Sequence, residues 1–131
     1  MTGGPMRARD ILLVDDDEIF LFSLSEGLRD PAGKLKVHTA GNGRQALEVL
    51  GSRAGIELLV TDLKMPEMDG FALLTSVRRD FPSIRAMAMT SFITPEAEEH
   101  LKTMGVLCIE KAAGLTEMRS VIMFELLRPS G

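Results

Sequence analysis

Blocks of apolar residues recur along this chain, and their period switches repeatedly between that of a strand and that of a helix. Ile11-Leu12-Leu13-Val14 is a continuous apolar run that stops on Asp15-Asp16-Asp17-Glu18, which reads as a buried strand tipped with acid. A helix follows to about Arg29, ahead of Pro31, with Phe20, Leu21, Leu24 and Leu28 on its core face. Ile19 and Phe22 lie roughly opposite that stripe and are expected to be exposed beside the acidic tip. Lys34 to Thr39 alternates polar and apolar, as an edge-type strand does. Gly41-Asn42-Gly43 turns the chain into a second helix with Ala46, Leu47 and Leu50 inward.

The run Ile56 to Val60 is a further buried strand, and it ends on a single carboxylate, Asp62. A proline turn follows, and Asp69-Gly70 opens a helix with an acidic N-cap. That helix, Phe71 to about Asp80, is expected to bury Phe71, Leu74 and Val77. Pro82 separates it from a strand, Ile84 to Met89, ending at Thr90-Ser91. Thr94-Pro95-Glu96 starts a fourth helix with proline at its first position, with Ala97, Leu101 and Met104 inward and Glu98 and Glu99 outward. Gly105 ends it, and Val106 to Ile109 forms a last strand tipped by Glu110-Lys111. A final helix, Leu115 to Leu127, buries Leu115, Met118, Ile122 and Leu126 and leaves Phe124 on the far side. Strand and helix alternate throughout, so the fold class is a doubly wound α/β domain with a five-stranded parallel sheet and helices on both faces.

Composition narrows the function. At 131 residues the chain suits one domain, over residues 9–127, with a short disordered lead-in over 1–8 and a tail over 128–131. A net charge of -4 favours neither nucleic acid nor an anionic membrane surface. No apolar run approaches the roughly 18 residues of a membrane span, and Met1 to Arg9 lacks the apolar centre of a secretion signal. The single cysteine, Cys108, precludes an internal disulfide and fits a reducing cytoplasm.

In an open parallel sheet, ligands bind beyond the carboxyl ends of the strands. Those ends present Asp15 and Asp16, then Asp62, then Thr90, then Lys111. Three carboxylates converging there repel by about 4 kcal/mol per pair at 4 Å and an effective dielectric near 20, so the cluster calls for a cation. Hard oxygen donors short of a full protein cage suit Mg²⁺, or Mn²⁺, sharing its sphere with water and a phosphate. With the Lys111 ammonium and the Thr90 hydroxyl, the set describes a phosphoryl-transfer site with Asp62 as acceptor.

The residues Leu13-Val14-Asp15-Asp16, Val60-Thr61-Asp62-Leu63-Lys64-Met65-Pro66-Glu67-Met68-Asp69-Gly70, Met89-Thr90-Ser91 and Lys111 together resemble the receiver domain of two-component response regulators, over about Arg9 to Leu127. The resemblance implies a flavodoxin-like strand order of 2-1-3-4-5 and a phosphoryl group taken by Asp62 from a histidine kinase or histidine phosphotransfer protein. It implies Mg²⁺ on Asp16 directly, on Asp15 largely through water, on Asp62 and on the backbone carbonyl of Lys64. It also implies that Lys111 and Thr90 hold the phosphoryl oxygens, with Thr90 moving inward as the switch.

The chain departs from that pattern in three places. The family usually has proline after the lysine, often across a cis bond; here Ala112 follows, and a cis bond before a non-proline residue costs roughly 2.5 to 4 kcal/mol, so the expectation is a trans bond or a displaced lysine. The usual aromatic switch position is Cys108, so the paired threonine–aromatic motion is not available in its ordinary form. After Thr90 come Ser91 and the bulky Phe92, which with Lys64 is expected to flank the path of an attacking water and slow loss of the phosphoryl group.

Other features read more plainly. Ile19 and Phe22 suit docking of a partner helix, and Phe124 a dimer or effector surface. His38 and His100 have no second ligand nearby in sequence, Cys108 reads as a small buried apolar group, and the methionines occupy mostly core-facing positions. Two rival functions remain. Asp15-Asp16-Asp17-Glu18-Ile19 resembles the strand-end motif of haloacid-dehalogenase-like phosphohydrolases, with Asp15 as nucleophile and Asp17 as acid/base. The other is a degenerate receiver that binds a partner without being phosphorylated. The sequence expectation is of no output domain after Leu127, whether in a stand-alone regulator, a relay intermediate or one domain of a longer protein.

Overall fold

The structure, a computed structural model, describes residues 8–129. The disordered lead-in and the tail expected from the sequence fall mostly outside those residues. Five strands and five helices alternate: β1 (Arg9–Val14), α1 (Glu18–Gly27), β2 (Leu35–Ala40), α2 (Gly43–Ser52), β3 (Ile56–Asp62), α3 (Gly70–Asp80), β4 (Arg85–Thr90), α4 (Pro95–Met104), β5 (Leu107–Glu110) and α5 (Leu115–Leu127). A 3-10 turn over Lys111–Ala113 joins the last two. All pairings are parallel, in the order β2-β1-β3-β4-β5.

Helices on both faces explain the unbroken apolar runs over residues 11–14 of β1 and 58–60 of β3. Successive side chains point to opposite faces, and both faces are buried. Ile11, Leu13, Leu58, Val60, Met87 and Met89 pack beneath Leu21 and Leu24 of α1 and Met118 and Ile122 of α5. Leu12, Val14, Leu59 and Ala88 face Ala46 and Leu50 of α2, Leu73 and Val77 of α3 and Leu101 of α4. Four of the five helices are begun by a side-chain cap. Asp17, Asn42, Asp69 and Thr94 accept from first-turn amides of α1, α2, α3 and α4, and Gly105 ends α4 in the left-handed region.

Several core assignments are corrected. Phe71 is half-buried and stacks on His100, ring centroids 4.7 Å apart, while Leu73 takes the core place beside Leu74 and Val77. Leu115, which opens α5 directly after Gly114, is exposed. Phe20, Leu47, Ala97, Met104 and Cys108 are half-buried rather than interior. The first helix ends at Gly27, not near Arg29. Ile19, Phe22 and Phe124 are exposed, as their helical phase predicts.

Candidate functional site

The register brings the acidic tips together. Val14 pairs with Thr61 across β1 and β3, and Asp62 pairs with Met89 across β3 and β4, so Asp15, Asp62 and Thr90 emerge side by side. Oxygens of Asp15, Asp16 and Asp62 lie within 4.8 Å of one another. Asp15 is 0% exposed and Asp62 6%, whereas Asp16 opens to solvent. Lys111, the first residue after β5, closes the group: its Nζ donates to Asp15 Oδ2 at 2.6 Å and to Asp62 Oδ2 at 3.4 Å. The remaining oxygens are held by the backbone, Asp17 N–H donating to Asp15 Oδ1 at 3.0 Å and Leu63 N–H to Asp62 Oδ1 at 2.8 Å.

Three carboxylates therefore face one ammonium. Burial, and then the charge of Asp15, hold the Asp62 carboxyl above the usual aspartate range, against the opposing pull of Lys111 and the Lys64 and Leu63 amides. Burial works against the Lys111 charge, but the hydrogen bond and charge of Asp15, with Asp62 behind it, outweigh that and hold the ammonium above the ordinary lysine value. The donor set is hard oxygen with no thiol or imidazole, and it offers one open side at Asp16, which fits Mg²⁺ or Mn²⁺.

The Lys111–Ala112 bond is trans, as expected, and the lysine is in the site rather than displaced. Thr90 is buried at the tip of β4, but its hydroxyl donates to the Phe92 carbonyl at 3.2 Å. Phe92 is 67% exposed and lines, with Lys64, Met65, Phe71 and Thr90, an open cleft of about 590 Å³ beside Asp62. Lys64 and Ser91 are exposed. Two contacts escape sequence reasoning: Glu110 accepts from Ile93 N–H at 3.2 Å, tying β5 to the loop that carries Phe92, and the Phe20 ring lies under Lys111. Ile19 and Phe22, 80% and 67% exposed, lie on α1 next to Asp16.

The geometry weighs against the hydrolase reading. The Asp17 carboxylate accepts from Ile19 and Phe20 N–H at 3.1 Å each, so the residue needed as acid/base is the helix cap, and Asp15 is pinned by Lys111. Asp17→Ala is expected to lose about 1 kcal/mol of stability in urea unfolding, as capping residues do, and still to take its label on Asp62. Cys108, for its part, reads as inert. Burial, with the charges of Glu110, Glu98 and Asp62, pushes its thiol up to about 11. Its alkylation by iodoacetamide at neutral pH is expected to run roughly a hundredfold slower than that of free cysteine; an equal rate would contradict this.

Known proteins match the chain in the same terms. A family model described as the response regulator receiver domain matches residues 11–123. A response regulator receiver protein of Anaeromyxobacter sp. (strain Fw109-5) is 37% identical over 77% of this chain and 41% of its own length. The transcriptional regulatory protein ZraR of Escherichia coli O157:H7 is 40% identical over 72% of this chain and 21% of its own length. The two-component response regulator ORR5 of Oryza sativa subsp. japonica is 32% identical over 81% of this chain and 74% of its own. The chain thus spans well under half of the first two relatives. Among solved structures, the signal receiver domain of an HD domain-containing protein from Pseudomonas fluorescens Pf-5 superposes with a TM-score of 0.78 at 26% identity, over 89% of this chain and 93% of that one. Since the matched span takes in the tips of all five strands, and with them Asp15, Asp62, Thr90 and Lys111, this chain belongs to the response regulator receiver domain family.

Proposed function

We propose that this chain accepts a phosphoryl group on Asp62 from the phosphohistidine of a histidine kinase or histidine phosphotransfer protein. One observation carries the proposal: Asp62 is a nearly buried carboxylate at a central strand tip, within 4.8 Å of two further carboxylates and 3.4 Å from an ammonium. An oxygen of Asp62 bonds to phosphorus as the bond from phosphorus to the donor's imidazole nitrogen breaks, and that nitrogen keeps the electron pair. The Leu63 amide fixes the plane of the attacking carboxylate. Lys111 turns from Asp15 to a phosphoryl oxygen, and the Thr90 hydroxyl exchanges the Phe92 carbonyl for another. Asp15, Asp16, Asp62 and the Lys64 carbonyl would hold Mg²⁺ or Mn²⁺, which when bound would supply positive charge against the incoming phosphoryl oxygens.

The chain then acts as a signalling domain, limited in catalysis to phosphotransfer and slow self-dephosphorylation, and its output is a population shift between two surface states. The exposed pair Ile19 and Phe22 receives the donor's helices, and the exposed Phe124 on α5 serves a homodimer or effector contact. We place the protein in the cytoplasm, consistent with one cysteine in the whole chain. Among the described residues no helix is long and apolar enough to cross a membrane. Phe92 over the cleft beside Asp62 shields the acyl phosphate from water, so Phe92→Glu is expected to shorten its half-life by roughly threefold to tenfold. An unchanged half-life counts against that role.

The deciding experiment is incubation with Mg²⁺ and a small phosphodonor, followed by mass spectrometry. A base-labile phosphoryl mass on Asp62 supports the proposal. A label on Asp15 would favour the hydrolase reading, and no label at all would favour a receiver that binds without being phosphorylated.

A further inference from the structure

A lysine has four rotatable carbons between backbone and charge, so something must hold its ammonium where chemistry needs it. In this chain the backbone after Lys111 gives little help: Ala112 and Ala113 lie exposed in the 3-10 turn, and Ala112 stands where the family usually has proline. The ammonium has three neighbours, Asp15 Oδ2 at 2.6 Å, Asp62 Oδ2 at 3.4 Å and the Phe20 ring with its centroid 4.4 Å away. The two carboxylates belong to the reacting cluster, and their hold on Lys111 must change when a phosphoryl group arrives. The ring does not change. It carries no formal charge to be neutralised, and its negative face attracts the cation before and after transfer.

Phe20 is itself fixed from the same cluster. Its amide donates to the Asp17 cap at 3.1 Å, and the Asp17 amide donates to Asp15 Oδ1 at 3.0 Å, so ring, cap, metal-side carboxylate and ammonium form one connected unit. The helical phase of α1 would send Phe20 to the core with Leu21 and Leu24, yet it stays half-buried, packing only in part against that cluster. Its ring face also meets the ammonium.

We infer that Phe20 is a positioning residue for phosphoryl transfer, holding the Lys111 ammonium at the Asp62 site through its ring face in a chain whose lysine is followed by alanine. The inference rests on the reading of Asp62 as the acceptor. It separates from that reading because the contact itself can be observed without any phosphorylation.

The test uses the full chain and two variants, Phe20→Leu, which keeps apolar bulk without a π-face, and Phe20→Tyr, which keeps the face. In the unphosphorylated protein the Lys111 ε-methylene protons are expected to be shifted upfield by the ring in wild type and Phe20→Tyr, and not in Phe20→Leu. Labelling of Asp62 by a small phosphodonor at saturating Mg²⁺ is expected to be roughly threefold to tenfold slower in Phe20→Leu and restored in Phe20→Tyr. Mg²⁺ affinity should be equal in all three. The inference is overturned if Phe20→Leu labels at the wild-type rate, if Phe20→Tyr is as slow as Phe20→Leu, or if Mg²⁺ affinity falls in step with rate, which would mark Phe20 as a support for the carboxylates. A wild type that takes no label while showing the ring shift would remove the acceptor reading and this role with it; an absent ring shift with normal labelling would remove this role alone.

Discussion

Asp62→Asn is expected to take no phosphoryl label and, without divalent metal at neutral pH, to melt about 3 to 5 °C above wild type. The loss of label follows from replacing the attacking carboxylate by an amide. The gain in stability follows from the same surroundings that make Asp62 reactive. Its carboxyl sits above the ordinary aspartate value of 3.8, chiefly because burial and then Asp15 disfavour the charge. A carboxyl whose folded value is raised binds more protons folded than unfolded, so stability falls as pH rises from 3.8 through the raised value. Once that carboxyl is ionised the wild type carries the full penalty, and asparagine, of nearly the same shape, carries none. Lys111 keeps its 2.6 Å partner Asp15 in the variant, so no ammonium is stranded. A gain on the order of 1 kcal/mol is in the range seen when functional strain is relieved. Two conditions change the difference. Lowering the pH through the raised value toward 3.8 closes the gap, because both proteins are then neutral at this position. Adding Mg²⁺ stabilises the wild type by mass action, about 2.7 kcal/mol at a hundredfold excess over its dissociation constant, and should put it above the variant. With neither Trp nor Tyr in the chain, the measurement is calorimetry or circular dichroism. A metal-free variant that melts below wild type would refute the electrostatic account.

The strands and the acidic tips were legible because both depend on position along the chain. A strand covered on both faces needs an unbroken apolar run through its middle, so residues 11–14 of β1 and 58–60 of β3 announce themselves, and whatever follows them lies at the carboxyl edge of the sheet. Asp15, Asp16, Asp62, Thr90 and Lys111 are found that way. What stayed hidden depends on contacts between elements distant in sequence. Helical period gives Phe71 and Leu74 a common face, but Leu73, Leu74 and Val77 share one too, and only the position of α4 decides that Phe71 stacks on His100 instead. The same holds for Phe20, whose phase assigns it to the core while its ring lies under the Lys111 ammonium. The Thr90 hydroxyl and the Glu110 carboxylate are both turned into the loop before α4, through the Phe92 carbonyl and the Ile93 amide. Nothing in the spacing of those residues marks the pairings. Leu115 fails for a different reason: period describes a helix once begun, not whether its first residue is buried.

Gly70→Ala is expected to destabilise the protein by about 3 kcal/mol and to slow labelling of Asp62 by roughly a hundredfold. Gly70 is the first residue of α3, and its φ does not need glycine; what needs glycine is space. A Cβ there would stand 2.2 Å from the Asp62 carbonyl oxygen, 2.7 Å from Leu63 Cα and 3.0 Å from the Asp62 carbonyl carbon. All three are backbone atoms of the strand tip, so no side-chain rotation relieves the contact. The Gly70 amide also donates to the Leu63 carbonyl at 2.9 Å, the bond that seats the start of α3 against the end of β3. Relief therefore requires either α3 to back away, breaking that bond, or the tip of β3 to move and take the Asp62 carboxylate with it. A displacement near 1 Å is enough to spoil alignment with phosphorus and with the Lys111 ammonium. Gly51→Ala is the matching control. It lies in α2 with no atom within 4 Å of the added methyl, and it should gain roughly 0.5 to 1 kcal/mol from helix propensity alone. Urea unfolding followed by circular dichroism, with labelling rates on the same samples, separates the two glycines. If Gly70→Ala unfolds and labels like wild type, the close approach of α3 to the Asp62 backbone is not what places the acceptor.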